Sequence, residues 1–166
     1  MRFLLAMLLC VVGLAAQPAV FQPFGQGCTF QGQTPAIGNQ GLPRPGQQFQ
    51  VTYAGPNFTM NSAQQIAWPN LVLGLQQQIT PLPPLVQQPV GCGGLISPDV
   101  LLPTQPDQNG RPMFENFVTL SVPNDTQLLG LQFYAQWVVL VDQCGFAGCG
   151  LAALLTSDAA LAQIGV

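Results

Sequence analysis

No helix accommodates the stretch from Phe117 to Val141. It reads FVTLSVPNDTQLLGLQFYAQWVVLV. Phe117, Thr119 and Ser121 alternate with Val118, Leu120 and Val122, the period-two signature of a strand with one wet face. Pro123-Asn124-Asp125 breaks the pattern. The second half is β-branched, aromatic and nearly all apolar, which suits a strand buried on both faces. A chain built around such a pair must be a sheet protein, and these two runs are expected to nucleate its core.

The rest of the chain agrees. Gln48–Tyr53 (QFQVTY) alternates, with Phe49, Val51 and Tyr53 on one face. Leu71-Val72-Leu73 reads as a buried strand, and Pro69 makes Ile66-Ala67-Trp68 an edge piece or a separate short strand. Ile79–Pro89 is proline-dense and reads as an extended surface connection. Val90–Pro103 holds two short apolar pieces around Ser97-Pro98-Asp99. Asp107-Gln108-Asn109-Gly110 reads as a turn feeding a strand that begins near Met113. The tail, 151–164, has two apolar runs broken at Ser157-Asp158 and is read as strands. No segment shows a 3.6-residue amphipathic repeat over a helix length. Short strands with Gly/Pro turns predict an all-β fold, an antiparallel β-sandwich of roughly seven to nine strands with Greek-key-like connections.

Before the sheet region lie two other segments. Arg2, the apolar run Phe3–Leu14 and the small pair Ala15-Ala16 form a signal peptide over residues 1–16. That run is shorter than the roughly 20 apolar residues of a transmembrane helix. Residues 17–46 are a Gly/Gln/Pro-rich arm without periodicity, and 47–166 form the sandwich domain. The expected product is secreted, extracellular or held at the cell surface, with no membrane insertion after cleavage.

Composition narrows the function. The chain has 166 residues with no Lys and no His, and 5% of them are charged. Without Arg2 the formal charge is 2 − 6 = −4, from two Arg against six Asp and Glu. Gln takes over as the polar residue, in runs such as Gln76-Gln77-Gln78. No basic footprint for nucleic acid is present. Without His or Lys, Ser-His-Asp, Cys-His and Schiff-base mechanisms are excluded. Glu115 is the single Glu and the Asp residues sit at turn-like positions, so a glycosidase carboxylate pair is not indicated. Asp99 reads as a cap on backbone amides. Asp107, Asn109 and Gly110 fit a hairpin turn better than a calcium loop, because the later ligands are missing. The expectation is a non-enzymatic chain with no cofactor.

Four cysteines follow the leader: Cys28, Cys92, Cys144 and Cys149. In an oxidising compartment an even count favours two disulfides, with three pairings open. Cys144–Cys149 is preferred, because Gly145 and Gly148 let the CGFAGC loop close, which leaves Cys28–Cys92. A metal site is not expected: paired CxxC units and His are both absent. Among the aromatics, Trp137 lies in the most apolar run and reads as core. Trp68 and Tyr134 are the candidate ligand-binding residues, as stacking surfaces for sugars.

A set of short phrases stands in order along the chain. They are Gly27-Cys28, Pro45-Gly46 before Phe49-Gln50-Val51, Leu73-Gly74-Leu75, and Gly91-Cys92 leading to Ser97-Pro98-Asp99. Then come the turn ending at Gly110, Val122-Pro123-Asn124 before Leu129-Gly130-Leu131, Gln136-Trp137, Asp142 and Ile164-Gly165. Over Cys28–Gly165 the chain resembles an uncharacterised β-rich module found at the C-termini of secreted bacterial proteins. The resemblance implies an all-β extracellular module and carries no catalytic residues. The chain departs from the pattern by standing almost alone behind its signal peptide and by carrying CGFAGC after Asp142. Two functions are therefore expected in order: a structural or interaction module of the bacterial envelope or exterior, with an envelope protein or polysaccharide as partner, and, as the alternative, a carbohydrate-binding module using exposed aromatics.

Overall fold

The computed structural model describes residues 17–55, 65–83, 85, 89, 92–104, 117–145 and 148–166. The signal-peptide segment, Asp107–Gly110, Met113 and Glu115 lie outside the described residues. The strands are β1 (Val20–Phe24), β2 (Ala36–Gln40), β3 (Gln48–Ala54), β4 (Gln65–Gly74), β5 (Gln77–Pro81), β6 (Gly93–Ile96), β7 (Val100–Pro103), β8 (Phe117–Ser121), β9 (Gln132–Gly145) and β10 (Gly148–Gln163). They form a five-stranded sheet of order β1-β10-β9-β4-β7, a three-stranded sheet β2-β3-β8 and a pair β5-β6. Every pairing is antiparallel. The fold is all-β and sandwich-like, with ten strands where roughly seven to nine were expected from turn spacing.

Strand β9 is the centre. Its odd-numbered residues Ala135, Trp137, Val139 and Val141 are fully buried against the three-stranded sheet. There the Trp137 indole N–H donates to the Thr52 carbonyl at 2.9 Å and its ring meets Tyr53 edge-on, 5.5 Å between centroids. Burial pushes the Tyr53 phenol well above its ordinary pKa. The even-numbered face of β9 is covered in part by β6. Tyr134 and Val138 pack there with Ile96 and Leu95. Gln136 is buried between them: its carbonyl oxygen accepts from Leu95 N at 2.9 Å and its amide donates to Ser157 O at 2.8 Å. A fully bonded amide is tolerated where a bare one would cost free energy.

The two runs that opened the sequence reading lie in different sheets: β8 pairs with β3 and β9 with β10 and β4. Residues 17–46 do not stand apart as an arm. They supply β1 to the large sheet and β2 to the small one, so the boundary expected at 46/47 does not divide the fold. Ile66–Trp68 is not a separate strand but the first part of β4. Strand β7 pairs only from Asn70 to Leu73, so among the described residues Ile66–Pro69 have a strand on one side, where Pro69 forfeits no ladder bond. The Ile79–Pro89 connection begins within β5.

The break at Ser157-Asp158 is a β-bulge inside one continuous strand rather than a gap between strands. Thr156 pairs with Val138 and Ala159 with Gln136, so one extra residue sits on β10. Inward-facing residues change from Ala153 and Leu155 to Ala160 and Ala162 across it. Its polar atoms are used. Ser157 Oγ accepts from Trp137 N at 3.0 Å and donates to the Asp158 carbonyl. Asp158 Oδ1 accepts from Ile37 N at 2.8 Å, tying the bulge to β2. Thr156 O accepts from Cys28 N at 2.7 Å, and Thr156 Oγ1 donates to Gly93 O at 2.9 Å. Gly27 is needed here because a Cβ would lie 2.5 Å from Pro35 O. Both expected disulfides are present, Cys28–Cys92 with Cα atoms 5.3 Å apart and Cys144–Cys149 with Cα atoms 3.9 Å apart.

Candidate functional site

Where β4 and β8 run out, the large and small sheets part and leave an open groove of about 460 Å³. Its floor is Phe49, Leu73, Phe133 and Ile164, and the Phe49 and Phe133 rings stand 6.4 Å apart. Leu75, Val100 and Leu131 form the rim, at 67%, 49% and 47% exposure. The volume falls in the range of ligand pockets, and so does the apolar lining.

Local sequence builds this rim. Asp125 accepts from Gln127 N at 2.9 Å and starts a single 3-10 turn, Thr126–Leu128. Gly130, at φ +83°, then reverses the chain, and its N–H donates to Ile164 O at 2.8 Å. Leu128 and Leu131 are thereby set on the groove. On the other side Asp99 accepts from Leu75 N and from Ser97 Oγ, both at 2.8 Å, fixing the corner between β4 and β7. Asp99 thus caps backbone as its loop position suggested.

Asp99 is the one titratable side chain among the described lining residues, and its Oδ2 is already engaged. Ser121 accepts from Gln48 Nε2 at 3.2 Å. The groove therefore offers hydrocarbon surface with few polar groups. Its chemistry is the burial of an apolar partner, at roughly 25 cal/mol for each Å² removed from water.

The residues singled out from sequence lie elsewhere. Trp68 is half-buried on the outer face of β4, where its indole N–H donates to Asp142 Oδ2 at 3.1 Å. Tyr134 is half-buried on the outer face of β9 and packs edge-on to Phe24, 5.9 Å between centroids. Trp68 is opposite Leu140 on β9, so the register puts six residues, about 20 Å, between the two aromatics. They do not form one platform. Cys28, Cys92, Cys144 and Cys149 are all in disulfides. Among the described residues no group of three or more metal-ligating side chains occurs, and no helix is long and apolar enough to cross a membrane. Sequence reasoning missed the groove. Its trace was Leu129-Gly130-Leu131, bulky apolar residues on both sides of a turn glycine. No family model, curated protein or solved structure matches the chain.

Proposed function

We propose that the chain is a secreted, non-enzymatic interaction module whose groove takes an apolar segment of an envelope or extracellular protein. One observation carries this reading: an open apolar groove with bulky side chains left in solvent at its rim. Exposed apolar surface framed by polar surroundings is a common mark of an interaction site. The two disulfides are compatible with an extracellular location and support export by the leader read at residues 1–16. The low charge removes electrostatic steering, so recognition rests on shape and burial.

The test is retention of the oxidised protein by isolated bacterial envelope. Wild type is expected to bind saturably to a protease-sensitive site. Leu131→Asp, on the exposed rim, is expected to abolish retention while leaving the melting temperature within a few degrees. Retention unchanged in Leu131→Asp, or retention that survives protease treatment of the envelope, would sink the proposal.

A further inference from the structure

The two disulfides sit in different surroundings. Cys28 belongs to the main core at 7% exposure, and half-buried Cys92 packs against the same cluster. Cys28 Sγ also lies 3.0 Å from Thr156 Oγ1. Cys144 and Cys149 instead face each other near the end of the β9–β10 hairpin, as directly paired residues. Cys144 is buried at 8% exposure, whereas Cys149 is exposed. Gly148 and Gly150 flank Cys149, Gly145 follows Cys144, and all of these glycines are exposed. A Cβ added at any of them would meet no described atom within 4 Å. These neighbours therefore put no side chain in front of Cys149. The tip is also mechanically separate from the sheet. Strand β9 is held on both sides, by β10 and by β4, as far as the pair Gln65–Gln143, and only the residues beyond Gln143 depend on the hairpin alone.

We infer that Cys144–Cys149 is a thiol–disulfide exchange site, opened in the folded protein by a dithiol that attacks Cys149. Exchange begins with a thiolate attacking one sulfur of the bridge, so access to that sulfur governs it. The dithiol's thiolate bonds to Cys149 Sγ. The Cys144–Cys149 bond breaks, and its electron pair leaves on Cys144 Sγ, which takes up a proton. The second thiolate of the dithiol then attacks its own sulfur in the mixed disulfide, and Cys149 leaves and is protonated in turn. The dithiol ends as a disulfide, and the protons and the electron pair it gives up are those the two cysteines gain. The nucleophile comes from the dithiol, so no cation beside Cys149 is required. At Cys28–Cys92 one sulfur lies in the core and the other is half-buried, so exchange there is the slower. Opening the tip leaves the sheet paired, because such local openings need only their own contacts broken. Cys144 lies eleven residues from Phe133, about 36 Å along β9, so this site is separate from the groove.

The experiment treats the oxidised protein with graded dithiothreitol in the absence of denaturant, quenches by alkylation and maps the labelled cysteines by mass spectrometry. Cys144 and Cys149 are expected to be labelled together, about tenfold or more faster than Cys28 and Cys92, with the β-sheet circular dichroism spectrum unchanged. Single variants locate the attacked sulfur. Cys149 left free in Cys144→Ser should form a mixed disulfide with oxidised glutathione about tenfold or more faster than Cys144 left free in Cys149→Ser. If either single variant fails to fold, the labelling order in wild type decides. Opening of both bridges at one rate, earlier opening of Cys28–Cys92, or opening of Cys144–Cys149 only in urea that unfolds the sheet overturns the inference. Equal reactivity of the two folded single variants overturns it as well.

Discussion

Trp137 and Asp158 show how much a single side chain can hold. Trp137 is completely buried, bonded to the Thr52 carbonyl and stacked edge-on against Tyr53, so it joins the two main sheets. Trp137→Ala should cost roughly 3–5 kcal/mol, from the cavity and the orphaned carbonyl together. Urea unfolding measures it, and an equally stable mutant would contradict the placement. Asp158 behaves differently. Burial raises its pKa, and the bond from Ile37 N only partly offsets that. The folded chain therefore holds this proton more tightly than the unfolded chain, whose carboxyl titrates near pH about 3.9. Its contribution to stability is present below that pH and is lost as pH rises through the higher folded value. Asp158→Asn keeps an acceptor for Ile37 N and cannot ionise. The stability difference, wild type minus mutant, should fall from pH 4 towards neutrality. A difference that is flat or rises with pH would refute the assignment.

At the level of elements, legibility followed pattern strength. Strand β3 was plain because Phe49, Val51 and Tyr53 alternate without interruption, and β9 because its residues are apolar on both faces. Strands β1 and β2 were hidden. Pro23 interrupts VFQPF and is tolerated because β1 is an edge, while AIGNQ has only Ile37 to mark its inner face. The groove was hidden for another reason: its lining residues lie far apart in the sequence, from Phe49 to Ile164, and only tertiary structure gathers them. The bulge on β10 was visible as a break but not as a change of face. Deleting Ser157 should remove the extra residue and leave Ala160 opposite Ala135 and Ala162 opposite Phe133, but it leaves Asp158 alone opposite Trp137 and takes the Ser157 acceptor from Trp137 N. A lowered melting temperature by circular dichroism is expected. A deletion variant that melts like wild type would mean that the hydrogen bonds of the bulge do not matter.

Across the whole molecule, the disulfides divide the labour unequally. Cys28–Cys92 spans 64 residues of sequence and fastens the connection between β1 and β2 to the entry of β6. That connection also meets the bulge through the Cys28 N–H bond to Thr156. Cys144–Cys149 spans 5 residues and closes the tip of a hairpin that β9 and β10 already define. Loop-closure entropy assigns about 4 kcal/mol to the first bridge and about 2 kcal/mol to the second. The second bridge also matters less to the whole fold, because losing a hairpin tip does not propagate into the sheet, whereas the first ties the β1–β2 connection to the entry of β6. The paired substitutions Cys28→Ala with Cys92→Ala should therefore lower the urea midpoint at least twice as far as Cys144→Ala with Cys149→Ala. Both variants should retain the β-sheet circular dichroism spectrum in the absence of urea. The reverse order would mean that the long hairpin, and not the junction at Thr156, is where this molecule begins to come apart.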